Sequence, residues 1–462
     1  MLADLALYLW IPVSLGLALG LRPSLAATAI LLGGHLLLPV DRVIDFSGLP
    51  EMDRHRLSML CAVDFFVLLR PERLRIMGPG AGFLGFAALL LVGAFATGLG
   101  NGDVLEYGPA VVPGMSLYDS VSFANVQLLD FVLPALLGFA VFRRPQDLRG
   151  YLALLVLAAL LYAPLVLLEA RLSPQVHRWL YGSHQHEFAQ TMRLGGWRPM
   201  VLMEHGLALA LFLLTAVIAV LGLWRARLKL AGVSLGVPSV VLATVLAVCR
   251  SLGSLAYAAL LVPLMAFSRP GLPMLAALAM AFTVVAYPAL RGFDLFPTWR
   301  LVGLAETVNP ERSQSVAFRF HNENVLLEKV AERPWLGWGS FGRNRVYDAG
   351  SGEDVTATDG FWIIQLGSQG VVGLVGAFGL LLAPLLVATR RLLRPMEPQD
   401  AWVVVTTMLI CAIQAIDQLP NGFLAPLHVF LAAGLAGAVA QPSGPSASSP
   451  PAESLGVRRH SR

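Results

Sequence analysis

Charge is scarce in this chain. Asp, Glu, Lys and Arg make up only 13% of its 462 residues, against 56% hydrophobic types, and the mean hydropathy is +0.68. Too little charge remains to surface a soluble globular domain, so the expected class is an all-α, polytopic membrane protein. Period-two alternation is missing too: the apolar runs are continuous, which excludes a β-barrel. Cysteine is nearly absent. Cys61, Cys249 and Cys411 sit in or at the edge of apolar runs, unpaired by spacing and away from histidine clusters, and read as small core hydrophobes. The N-terminus has neither a basic region nor a small-residue cleavage site, so the first span is not read as a removed signal peptide. No repeat of 20–50 residues is found.

What is present is a series of apolar runs. They lie near 2–20, 24–40, 56–70, 81–98, 124–142, 150–170, 200–222, 230–248, 252–267, 272–290, 360–388, 401–418 and 422–440. This gives about 12–13 spans, the lower figure applying if 56–70, which carries Asp64, is not one. Short connections hold Arg70, Arg73 and Arg75; Arg143, Arg144 and Arg149; Arg225, Arg227 and Lys229; and Arg390, Arg391 and Arg394, while the tail ends in Arg458, Arg459 and Arg462. Counting spans puts all five clusters on one face, expected to be cytoplasmic. The loops 41–55, 99–123, 171–199 and 291–359 then fall opposite. Residues 1–440 form the expected bundle. The Pro/Ser-rich stretch 441–462 is expected to be a disordered cytoplasmic tail.

Chemistry-bearing residues gather on the non-cytoplasmic side. The loop 171–199 carries His177, Arg178, His184, His186, Glu187, Arg193 and Arg198, and leads into Glu204 and His205. Its Trp179, Tyr181 and Trp197 also suit an ordinary interfacial loop. The H-x-H-E run lacks the helical i, i+4 spacing of a zinc enzyme, and no metal site is expected. Arg250 sits at a tight turn in V-C-R-S-L-G-S, either facing a cavity or snorkelling to the interface. The largest polar stretch, 291–359, contains Arg291, Arg300, Arg312, Arg319, Arg333, Arg343 and Arg345. Within it, S-V-A-F-R-F-H-N-E-N-V-L-L-E-K-V-A-E-R-P reads as an amphipathic helix with Val316, Phe320, Leu327 and Val330 on its apolar face. Arg319 and His321 lie on that helix. G-W-G-S-F-G follows, whose glycines allow close backbone approach, to a phosphate among other things. Arginine suits phosphate because its planar fork meets two oxygens at once and keeps its charge.

R-P-W-L-G-W-G-S-F-G, then T-D-G-F-W-I-I-Q-L-G-S-Q-G-V-V-G-L-V-G, resembles the signature region of the O-antigen ligase and polysaccharide polymerase superfamily. C-R-S-L-G-S and R-L-G-G-W-R-P are similar to two further arginine turns of that family. The likeness covers roughly 190–440. It implies an inverting, metal-independent glycosyltransferase of the bacterial inner membrane, working on the periplasmic face. The glycan would pass from a polyprenyl-diphosphate donor to a lipid or glycan acceptor, with membrane lipids as partners, no cofactor and no nucleic acid. The family's arginine positions match Arg193 or Arg198, Arg250 and Arg319.

One departure matters. Where the ligases carry histidine then asparagine, this chain has Thr358 then Asp359. Threonine is no base, so the proton-accepting role is expected to pass to Asp359, with His205, Glu204 and His321 behind it. T-D-G before an apolar helix equally fits an N-cap. The expected catalytic set is thus Asp359, Arg319, His205 and Glu204, with Arg193, Arg198, Arg250 and His321 binding substrate. The alternatives are a transporter or lipid-linked glycan flippase, for which Asp64 and Asp417 would be the intramembrane charges, and a non-catalytic envelope partner.

Overall fold

The computed structural model describes residues 2–45, 50–69, 80–193, 195–230, 232–308 and 310–440. The basic cluster Arg70, Arg73 and Arg75 and the tail 441–462 lie outside the described residues, as does the side chain of Arg312. The chain is an all-α bundle, because in lipid each spanning segment must satisfy its own backbone. Its helices are α1 (Leu2–Gly20), α2 (Pro23–Leu37), α3 (Arg54–Leu69), α4 (Ala81–Leu99), α5 (Leu117–Gln127), α6 (Leu133–Val141), α7 (Pro145–Leu172), α8 (Val176–Tyr181), α9 (Gly206–Arg225), α10 (Gly236–Val248), α11 (Leu252–Phe267), α12 (Gly271–Gly292), α13 (Thr298–Val308), α14 (Pro310–Glu332), α15 (Phe361–Leu392), α16 (Pro398–Asp417) and α17 (Pro426–Ala440).

Each of the thirteen expected runs falls on a helix. Among the described residues eight helical segments are long and apolar enough to cross a membrane, counting α5–α6 as one, and α2, α10, α11 and α17 are shorter apolar helices. This is a multi-pass membrane protein. Expected boundaries fail where polar anchors decide: α9 starts at Gly206 rather than near 200, because His205 caps it by accepting from the Leu207 N–H at 3.0 Å. The core is built on α9 and α17, apolar all round and buried along nearly their whole lengths, as such helices must be.

Two helices are interrupted. Pro134 has no N–H for the α5–α6 ladder, and the turn Leu128–Val132 widens so that Leu133 N–H reaches Leu128 O. Asp130 in that turn takes Arg56 bidentately, at 2.9 and 2.8 Å. In α15 the break is at Gly370, with φ 64° and ψ −164°.

The connections segregate to two ends. At one end Asp41 accepts from Ser183 Oγ at 2.5 Å, Arg54 reaches Leu202 O at 3.1 Å, Asp103 meets Arg333 at 2.9 Å and Arg319 reaches Pro420 O at 3.2 Å. At the other, Ser24 bonds Asp147 at 2.9 Å, and Arg225 bonds Ser268 O at 2.7 Å while lying over Trp402. Two of the expected basic connections, at 143–149 and 225–229, lie at this second end. Besides the helices, a hairpin of β1 (Leu105–Tyr107) with β2 (Ala110–Val112) and a two-residue pair, β3 (Met192–Arg193) with β4 (Gly196–Trp197), decorate the first end.

Candidate functional site

The site assembles around the turn 418–425 between α16 and α17. Its carbonyls do what a capping side chain would: Asn421 O accepts from Phe361 N–H at 3.0 Å and Gln418 O from Trp362 N–H at 3.4 Å. The N-cap of α15 is Gly360, without a side-chain bond. Asp359 is therefore not the cap that T-D-G allows. Its carboxylate pairs instead with Arg319 Nε at 3.3 Å, and Arg319 Nη1 also holds Pro420 O at 3.2 Å. These side chains are 37% (Arg319) and 46% (Asp359) exposed, so the pair is reachable from outside. Asp417, at the end of α16, accepts from Asn421 Nδ2 at 3.1 Å and stands in the field of Arg319.

The other expected arginines form a second group. Arg250 adopts φ +52° at the α10–α11 turn, and its guanidinium lies where a Cβ on Gly196 would be. Its Nη1 bonds Arg193 O at 3.3 Å, and Arg198 Nη2 reaches Arg250 O at 3.5 Å. Arg198 is buried while Arg193 is exposed. His205 joins this group, its ring 4.7 Å from that of His186 and stacked on Phe423 at 5.5 Å. Phe423 belongs to the same turn as Pro420. Burial pulls the His205 imidazole down to about 4, helped by the charges of His186 and Arg198, so it is neutral at pH 7. Its Nδ1 is occupied by Leu207 N–H, leaving Nε2 for any proton.

Glu204 turns inward. It forms an ion pair with Arg54, whose Nε also bonds His55 Nε2 at 3.2 Å. Burial would raise the Glu204 carboxyl, but Arg54 and His55 outweigh it and hold the group below its usual value. That makes Glu204 a paired anion rather than a proton carrier. His55 lies 5.1 Å from His35, and His35 6.3 Å from His428. Glu204, His35, His428, Gln414 and Tyr151 line a cavity of about 20 Å³. That volume holds a water, not a sugar. His321 is exposed on α14 and makes no hydrogen bond or ion pair among the described residues, so the structure does not join it to the others.

Most of the remaining loop arginines are spoken for. Arg343, fully buried, bonds Trp338 O, Asp103 O, Pro113 O and Asp103 Oδ1 at 2.7–3.1 Å. Arg333 grips Asp103 and Asn101 and lies over Trp338, and buried Arg291 is tied to Glu323 and Asn324. The glycine-rich turn is also committed. Trp338 N–H and Gly339 N–H donate at 2.8 Å to Gly367 O and Ser368 O, while Val371 N–H and Val372 N–H donate at 2.8 and 3.2 Å to Pro334 O and Trp335 O. The close approach that its glycines permit is to the break in α15. A Cβ on Gly337 would lie 2.6 Å from Gly370 N.

The sequence reading missed Arg54, His35, His55, His428 and Phe423 as neighbours of the site. The histidines stand singly in or beside apolar runs, where nothing local announces a cluster. D-R-H-R at 53–56 was the one available signal. No family model and no curated protein matches the chain, so the ligase-like motifs stand as short likenesses, now with a geometry beside them.

Proposed function

We propose that the protein is a membrane glycosyltransferase, moving a glycan from a polyprenyl-diphosphate carrier to a hydroxyl acceptor at the non-cytoplasmic face of a bacterial inner membrane. One observation carries this reading: the half-exposed Arg319–Asp359 pair beside a turn whose other neighbour, His205, belongs to the group of Arg193, Arg198 and Arg250. At resting state Asp359 neutralises Arg319. An arriving diphosphate competes for the guanidinium and frees the carboxylate. Asp359 then takes the acceptor's hydroxyl proton as the acceptor oxygen bonds to the anomeric carbon and the bond to the carrier's phosphate oxygen breaks, with inversion. Charge grows on the departing diphosphate, so fixed guanidinium groups favour the transition state over the bound substrate. Arg250→Lys should be defective, because a point charge does not replace the fork.

The test is deletion in the native host with analysis of lipid-linked glycans. Accumulated long chains indicate a lost ligase and single repeat units a lost polymerase; an unchanged pool overturns the proposal. A second reading, a transporter or flippase, is favoured by the Arg54–Glu204–His55–His35–His428 cluster, of which Arg54, His35 and His428 are buried, since ionisable groups inside a membrane bundle commonly mark a conduction path. It predicts that purified protein in vesicles moves lipid-linked glycan across the bilayer with no acceptor present.

A further inference from the structure

Among the described residues, the segment between α12 and α14 carries a dense group of exposed large apolar side chains. Phe293 is 77% exposed, Leu295 68%, Trp299 70% and Leu304 62%, with Leu301 beside them. On α13 the less exposed positions, Thr298, Val302 and Ala305, face α14, where Ser313 Oγ bonds Val302 O at 3.2 Å. Leu301 and Leu304, three residues apart, share one outward strip. Arg300 and Thr307 flank it, and Arg300 lies 5.0 Å over the Trp299 ring. A water-facing helix would not expose such a strip.

What covers it is indicated by continuity. The outward row of α12, Leu272, Leu275, Phe282 and Val285, is exposed on a membrane-length helix and so faces lipid. That row runs on past the end of α12 into Phe293 and Leu295. At 11 residues, α13 extends roughly 16 Å and is too short to cross the bilayer. An arginine stacked on a tryptophan suits the headgroup level, where one end is apolar and the other wet.

We infer that α13 is an interfacial anchor lying on the membrane surface, with Phe293, Leu295, Leu301 and Leu304 seated at the outer ends of the acyl chains and Arg300 among lipid phosphates. Because α13 packs on α14, the anchor sets the height of Arg319 at headgroup depth. The inference does not depend on glycosyl transfer and survives if that reading fails.

The test uses the full chain in nanodiscs of phosphatidylethanolamine and phosphatidylglycerol. The three native cysteines are buried, so wild-type protein serves as the labelling blank for nitroxides placed at Leu304→Cys and, on the opposite side of α13, at Glu306→Cys. Both positions are exposed, and neither change removes a core contact. The Leu304 label should collide with oxygen and be shielded from a water-soluble nickel complex, with a several-fold higher oxygen-to-nickel ratio than the Glu306 label. Equal access of nickel to both overturns the anchor. So does dipolar broadening between Leu304 labels, which would assign the strip to a second copy.

Discussion

Arg343 and Arg319 lie 24 residues apart in one polar stretch, carry the same fork, and each meets an aspartate. Arg343 is fully buried, and three backbone carbonyls plus Asp103 use its donors. Arg319 is half-exposed and, among the described residues, bound to Asp359 and to one carbonyl of the 418–425 turn. The first is a fastener, joining the 333–345 segment to the 101–116 loop. The second holds an exposed partner, the one that the proposed mechanism has an incoming diphosphate displace. Arginine density in a loop therefore says little about phosphate binding until each guanidinium's existing acceptors are counted.

The largest effect expected on stability comes from Arg343→Ala, which strands the Trp338, Asp103 and Pro113 carbonyls. At about 1–3 kcal/mol for each buried acceptor left unpaired, this should appear as a large drop in the melting temperature of the purified protein. Gly370→Ala comes next: its φ/ψ belongs to glycine, and the added carbon would overlap the Trp335 carbonyl group. Stability should fall by roughly 1–3 kcal/mol through the added backbone strain, with more proteolysis in the 334–345 segment. Arg319→Ala should cost under about 1 kcal/mol, since the pair is exposed, yet abolish the proposed glycan transfer. If Arg319→Ala melts as early as Arg343→Ala, the contrast between the two residues fails.

The smallest effect is on pH dependence. Burial disfavours the charged form of Asp103, but the hydrogen bonds from Arg333 and the charges of Arg333 and Arg343 prevail and hold its carboxyl below the usual value. A carboxylate depressed in the folded state adds stability above its unfolded pKa and loses it as pH falls through the folded one. Melting temperature should therefore decline below about pH 4, and less steeply in Asp103→Asn.

The helices were legible because lipid leaves an apolar run few alternatives to a helix, and the two-ended arrangement because basic residues collect in alternate connections. The turn at 418–425 was not. Its role in satisfying Phe361 and Trp362 comes from backbone carbonyls, which carry no residue signature, and it displaced the capping role that T-D-G allows for Asp359. Arg193, Arg198 and Arg250 were found through arginine turns, and their turns meet through side-chain bonds to the Arg193 and Arg250 carbonyls. Glu204 was found for its charge, but Arg54, about 150 positions earlier, decides what that charge is for. His321 was named for proximity in sequence to Arg319, and one residue pair on a helix does not share a face at i, i+2.

The interruption at Gly370 bears on how the chain is made. When α15 enters the bilayer, the carbonyls of Gly367 and Ser368 and the amides of Val371 and Val372 lack helical partners, and the matching groups reside in Pro334–Gly339. Insertion of α15 and docking of the 334–339 segment thus become a single event. The segment behaves as a rivet rather than a door.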